Sequence, residues 1–229
     1  MARAAALVGP MRAATRVVRE PMREAHIGEL DVEATIDNLL GKAFPEPGDL
    51  IVQRREERHH QVTLMVDTSL SMAGENIAIA AVAVGVLALK LRPEDLSVVA
   101  FGETAWSLTH LEVADPPIDV VRKLLDQPVL GSTNIATGLR LGAAELERGR
   151  NPRRSGLLVS DGMVTIGGDP LPVAHRFPRL FVLRTEDACQ KTPGLCAPLA
   201  EAGHGRVFPV RDYHDLPQRL LDVANLVLR

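Results

Sequence analysis

Aromatic side chains are scarce, with one Trp, one Tyr and five Phe among 229 residues. Single-stranded nucleic acids are held by stacking bases on such rings above a basic groove. A formal net charge of −3 adds no general attraction toward phosphate. Together these deficits speak against a nucleic-acid partner. Cysteine is nearly absent too: only Cys189 and Cys196 occur, in a stretch containing Pro193 and Gly194. Two reduced thiols, a local disulfide and metal ligation all remain open, although the spacing matches no zinc signature and His204 alone leaves such a set short of ligands. Long apolar runs are missing as well. The longest apolar-rich stretch, Ile77 to Leu91, is mostly Ala and Val and falls short of the roughly 18 consecutive apolar residues of a membrane span. The apolar patch in residues 1–10 is followed at once by Arg12, Arg16 and Arg19, which is not a signal-peptide pattern. Cytoplasmic placement without direct membrane insertion is the expectation.

What is present is 46% hydrophobic residues arranged in two contrasting patterns. In residues 1–57, Arg12, Arg16, Arg19 and Arg23 recur at helical spacing, and this segment is expected to be a helical, basic extension. A short helix is expected over Asp31 to Leu40, with Ile36, Leu39 and Leu40 forming its apolar side, before Pro45, Pro47 and Gly48 break regular structure. From residue 58 to 229, apolar strand-length runs alternate with helical segments. Val62 to Val66, Leu96 to Phe101, Gly156 to Ser160, Leu180 to Leu183 and Val207 to Val210 supply the strands. Helices are expected near 74–91, after Pro116 and Pro117, over 135–147, near 198–202 and over 216–228. Such alternation predicts an α/β fold, doubly wound, with a mostly parallel central sheet and helices on both faces.

In such sheets ligands sit beyond the carboxyl ends of the strands, near a switch in strand order. Three polar elements fall at those positions: Asp67 with Ser69 and Ser71, Thr133 ahead of its helix, and Asp161 after its strand. Asp67, Ser69 and Ser71 can converge where the chain leaves the strand in a tight curve. Carboxylate and hydroxyl oxygens suit a hard cation, Mg²⁺ or Mn²⁺. Leu70, Met72, Gly74, Glu75, Glu103, Gly162 and Met163 are expected to frame this site as a partner-binding rim. A serine hydrolase is the rival reading of the same hydroxyls, but the Gly-x-Ser-x-Gly elbow is missing and no histidine has a privileged strand-end position. The glycines of 162–168 form neither a phosphate loop nor a dinucleotide fingerprint.

The set Asp67-x-Ser69-x-Ser71, Thr133 and Asp161, in that order and at those strand ends, resembles the metal-ion-dependent adhesion site of the von Willebrand factor type A (VWA) domain family. The likeness extends over about residues 58–229. It implies Ser69, Ser71 and Thr133 as direct Mg²⁺ ligands, with Asp67 and Asp161 acting through water or holding the hydroxyls. It further implies a non-enzymatic protein-binding domain whose partner supplies an Asp or Glu carboxylate. Leu70 departs from the family's usual glycine between the two serines. Within the family, the extension ahead of the domain resembles bacterial partners of MoxR-type AAA+ ATPases and the D subunit of magnesium chelatase. That likeness implies an adaptor for a separate ATPase. A structural assembly module docking through the basic extension is the alternative, and a metal-dependent hydrolase a more distant one.

Overall fold

The structure, a computed structural model, describes residues 15–22, 28–42, 44, 46–57, 59–129, 131–185, 194–211 and 214–227. Residues 12–58 form one compact unit and residues 59–229 the body of another.

In the first unit, strand β1 (Thr15–Pro21) and the two-residue β2 (Glu29–Leu30) precede helix α1 (Val32–Leu39) and strand β3 (Ile51–Glu57). The order is β1-β3-β2, with β1 and β2 both antiparallel to β3. The arginine-rich segment is therefore a strand where a helix was expected. Thr15, Val17 and Val18 are β-branched and favour the pleated chain, and Pro21 cannot continue a helix because its ring clashes with the preceding turn. Arg12 and Arg23 lie outside the described residues. Helix α1 is capped by Asp31, whose Oδ1 accepts the Ala34 N–H (3.0 Å) while Oδ2 accepts from Arg19 Nε (2.7 Å). Those bonds hold the Asp31 carboxyl below its ordinary range, the Ala34 N–H having the largest effect.

The second unit follows the order β4 (Gln61–Asp67), α2 (Glu75–Lys90), β5 (Leu96–Phe101), β6 (Ala105–Thr109), α3 (Pro117–Leu125), α4 (Ile135–Arg148), β7 (Arg154–Ser160), α5 (Leu171–Ala174), β8 (Leu180–Thr185), α6 (Cys196–Ala202), β9 (Val207–Val210) and α7 (Leu216–Val227). Its six-stranded sheet runs β6-β5-β4-β7-β8-β9, parallel except for the antiparallel edge strand β6. This is the expected doubly wound α/β architecture. Strand β4 is buried along its whole length, and its alternate residues serve two separate cores. Val62, Leu64 and Val66 pack with α2, α3 and α7, whereas Met65 packs with α4, α5 and α6. Helix α4 approaches closely because Gly138 and Gly142 lie one turn apart on it. A Cβ at Gly142 would stand 2.2 Å from Met65 Sδ, and one at Gly138 2.5 Å from the Phe101 ring.

Strand β4 connects through α2 to β5 on one side, but its other neighbour is β7, reached only later in the chain. Strand order therefore reverses at β4, and the loops after β4 and β7 diverge there. The pairing of Val66 with Val159 brings Asp67 and Ser160 to adjacent strand ends at that divergence.

Candidate functional site

Asp67 ends β4 fully buried, and both its oxygens are engaged. Oδ1 accepts the Ser69 N–H (2.9 Å), which forces the curve that leads Ser69 and Ser71 back over the strand end. Oδ2 accepts the Ser160 hydroxyl (2.7 Å), whose Oγ in turn accepts the Gly162 N–H (3.0 Å). Burial pushes the Asp67 carboxyl up to about 6; the bonds from Ser69 and Ser160 act in the opposite direction, and the nearby Asp161 charge adds to the rise. Ser69 and Ser71 Oγ lie 3.2 Å apart, a spacing at which both can face one small ligand. Thr68 is turned the other way, its N–H and hydroxyl both donating to the Phe101 carbonyl (2.8 and 3.0 Å).

The second loop passes through Gly131, at φ +80°, to Thr133. Its Gly131 carbonyl accepts from Leu70 N–H at 3.4 Å. Thr133 is tied to the third loop from both backbone groups: its N–H donates to Thr165 Oγ1 (2.7 Å), and its carbonyl accepts from Thr165 and Ile166 N–H (3.1 and 3.2 Å). The Thr133 hydroxyl takes no part in this ladder. Asp67 to Ser160, Leu70 to Gly131, and Thr133 to Thr165 thus join the three loops pairwise into a closed ring of hydrogen bonds. The structure brings the loops carrying all five candidate residues together. Asn134 caps α4, accepting the Thr137 N–H at 3.2 Å.

In the third loop, Asp161 is fully buried; its Oδ1 accepts the Met163 N–H (2.9 Å), while Oδ2 has no partner among the described residues. A buried carboxylate oxygen without a donor is costly in a finished structure. It is an acceptor of the kind a cation or its bound water satisfies. The donor set around it is entirely oxygen, which fits Mg²⁺ or Mn²⁺. Among the described residues no three His, Cys, Asp or Glu side chains gather into a metal cluster, here or elsewhere; the strand-end set has two carboxylates and otherwise hydroxyls. Cys196 does not qualify as a soft ligand. Its thiol is buried 3.8 Å from the Ser160 carbonyl and burial pushes it up to about 12. Cys189 lies outside the described residues.

The rim differs in part from expectation. Leu70 is 66% exposed, and Gly74, Glu75, Glu103 and Met163 are also exposed. Met72, however, is fully buried, its sulfur accepting the Thr185 hydroxyl at 3.4 Å, because the turn Leu70–Met72 points alternate sides of the chain outward and into the core. Gly162 is buried as well; a Cβ there would meet Cys196 Sγ at 2.5 Å. Leu70 does not occupy left-handed backbone, so no glycine is required between the serines and its side chain stands in solvent without strain.

Ser160 and Thr165 were not anticipated from sequence. The only signal for Ser160 was its place directly before the strand-end Asp161; Thr165 carried none, since its role depends on how two loops meet. The serine-hydrolase reading gains no geometry from His60 or His110. His60 is buried at the amino end of β4 with Nε2 2.8 Å from Ser155 Oγ, and His110 Nδ1 lies 2.9 Å from Glu145 Oε1 on α4. No helix among the described residues is long and apolar enough to cross a membrane.

A family model described as "VWA domain containing CoxE-like protein" matches residues 3–206. No curated protein matches the sequence. Among solved structures, the fold is similar to the conserved hypothetical protein BatB from Bacteroides thetaiotaomicron, with TM-score 0.60 and 15% identity over 73% of this chain and 98% of that one. A von Willebrand factor type A protein from Catenulispora acidiphila gives TM-score 0.64 at 13% identity, over 96% of this chain and 51% of that one. Proximal thread matrix protein 1 from the mussel byssus, solved with a zinc-occupied MIDAS motif, gives TM-score 0.57 at 19% identity over 74% and 47%.

Proposed function

The chain belongs to the family of VWA domain containing CoxE-like proteins, and we propose that it is a cation-dependent protein-binding module that captures an acidic side chain of its partner. The observation that carries this reading is Asp161 Oδ2, a fully buried carboxylate oxygen with no donor, at a strand end whose loops are locked together by hydrogen bonds. Ser69, Ser71 and Thr133 would hold Mg²⁺ or Mn²⁺ directly, with Asp67 and Asp161 acting through water or as anchors. When bound, the cation supplies a coordination position for a partner's Asp or Glu carboxylate. Asp67 holds the Ser69 loop through its N–H, Ser160 holds Asp67, and Thr165 holds Thr133. The similarity in fold to a structure described as having a zinc-occupied MIDAS motif is consistent with this use of the strand ends.

No bond is broken or made in this role, so the domain is a binding module without turnover. The residues that frame a nucleotide phosphate are missing from its glycine-rich loop at 162–168. A nucleotide-driven partner, such as a MoxR-type AAA+ ATPase, would present the carboxylate to this domain.

Titration calorimetry with Mg²⁺ and with Mn²⁺ tests the site directly. Saturable binding to the wild-type chain, lost in both Asp67→Ala and Thr133→Ala with folding confirmed by circular dichroism, is the expected result. Equal binding in all three proteins, or none in the wild type, would overturn the assignment.

A further inference from the structure

Helix α1 is amphipathic in the wrong sense for a helix that only packs against its own sheet. At about 100° per residue, Thr35 and Asn38 fall on one side of it, and that side is fastened inward by polar bonds. Thr35 Oγ1 donates to the Ile51 carbonyl (3.3 Å) and accepts the Ile51 N–H (2.9 Å), and Asn38 Nδ2 donates to the Asp49 carbonyl (3.0 Å). Ile36 and Leu40, the latter just past the helix end, lie about 130–170° round from the middle of that side, with Val32 at its border, and the three are 53%, 72% and 59% exposed. An apolar row at i, i+4 and i+8 facing solvent has no role within the unit, because the attachment of the helix is already supplied by Thr35 and Asn38.

Charge lies along one edge of that row. Glu33 and Asp37, one residue further round the helix from Val32 and Ile36, are exposed, as is Glu29 just before the helix. None of the three carboxylates has an ion-pair or hydrogen-bond partner among the described residues. Of the described basic side chains near the helix, Arg19 is bound to the capping Asp31 and Lys42 to Asp49.

We propose that α1 is a second docking surface, independent of the strand-end site, for a protein helix presenting an apolar stripe bordered by Lys or Arg. The apolar row supplies the area removed from water, and the unpaired acidic edge selects a basic border and fixes its direction. Like charge would be placed against Glu33 and Asp37 by an acidic border, so such a helix is rejected.

The test uses the full chain and two synthetic amphipathic helices with the same leucine stripe, one bordered by Lys and one by Glu, followed by fluorescence anisotropy. The Lys-bordered helix is expected to bind, and the Glu-bordered one at least about tenfold more weakly. The double variant Ile36→Ser/Leu40→Ser is expected to lose binding. The charge reversal Glu33→Lys/Asp37→Lys is expected to exchange the preference between the two helices. Asp67→Ala is expected to leave binding unchanged. Equal affinity for both helices, no binding of either, or undiminished binding by the Ser variant would overturn the proposal. Self-association in sedimentation equilibrium that the Ser variant abolishes would overturn it in favour of a second copy of the chain. If the Ser variant fails to fold, hydrogen exchange on the wild type decides: protection by the Lys helix over residues 32–40 supports the assignment, and protection confined elsewhere overturns it.

Discussion

At the scale of single residues, the candidate site carries an expense that the proposed cation site would offset. Asp161 holds a buried, unpartnered oxygen, the acceptor that the proposed cation or its water would satisfy. Mg²⁺ is expected to raise the melting temperature of the wild type, and Asp161→Asn, which keeps an oxygen for the Met163 N–H but puts an amide NH₂ where Oδ2 stood, is expected to abolish that rise. Thermal melts with and without Mg²⁺ check this; an Mg²⁺ response undiminished in the variant would contradict the account. His60 shows the reverse balance at the other end of the sheet. Its burial pulls the imidazole down to about 4 from 6.5, with the Arg179 and Arg153 charges adding to the fall. The neutral ring is favoured in the fold, so the unfolded chain takes up the proton first as pH drops. That contribution is complete above about pH 6.5 and is lost progressively down to about pH 4, a total of order 3 kcal/mol. Urea unfolding of the wild type and His60→Gln across this window is expected to show a shallower pH dependence in the variant; parallel profiles would be inconsistent with it.

At the scale of elements, the seating of α4 on the sheet depends on two missing side chains. Alanine normally favours a helix over glycine by up to about 1 kcal/mol. At Gly142 that gain is outweighed, because the new Cβ would fall 2.2 Å from Met65 Sδ in the middle of β4. Gly142→Ala is expected to cost about 1–3 kcal/mol through forced repacking, read as a lower urea midpoint with an unchanged slope. Since Thr133 and Asn134 lead directly into α4, lifting that helix is also expected to weaken Mg²⁺ binding, although Gly142 is two turns from the site. The same reasoning explains why the rim divided. Leu70 and Met72 are two residues apart in one short turn, yet one stands in solvent and the other plugs the core beneath it.

At the scale of the whole molecule, the larger unit is a sheet covered on both faces, with its most protected strands at the point where order reverses. Hydrogen exchange is expected to be slowest in β4, β5 and β7, whose residues are buried almost throughout, and faster in the edge strands β6 and β9. Exchange in β4 as fast as in β6 would contradict this core. Residues 12–58 form their own three-stranded sheet and helix, so the protein offers two surfaces built on different principles: oxygen donors at strand ends in one unit, and an outward apolar row in the other.

Periodicity and strand-end chemistry were sufficient to specify much of this. Short apolar runs such as Val62–Val66, bounded by polar or Gly and Pro residues and alternating with helix-length segments, point to an α/β chain, because strands buried on both faces read as continuous hydrophobic runs of strand length. The placement of Asp67, Ser69, Ser71, Thr133 and Asp161 at strand ends and a helix start was legible because polar residues there end the apolar runs; that the first and last carboxylates are buried was not. Tertiary structure alone decided the rest. The spacing of Arg12, Arg16, Arg19 and Arg23 matched a helix, but pairing with β3 made the described part a strand, and strand pairing is a non-local choice that local spacing does not encode. Of Ile36, Leu39 and Leu40, expected as the apolar side of this helix, only Leu39 is half-buried; Thr35 and Asn38 fasten the inner side through hydrogen bonds to residues 49 and 51. Ser160 and Thr165 gained their roles only when three loops distant in sequence met, since a hydrogen bond depends on where two atoms end up in space and periodicity constrains only which way one residue faces.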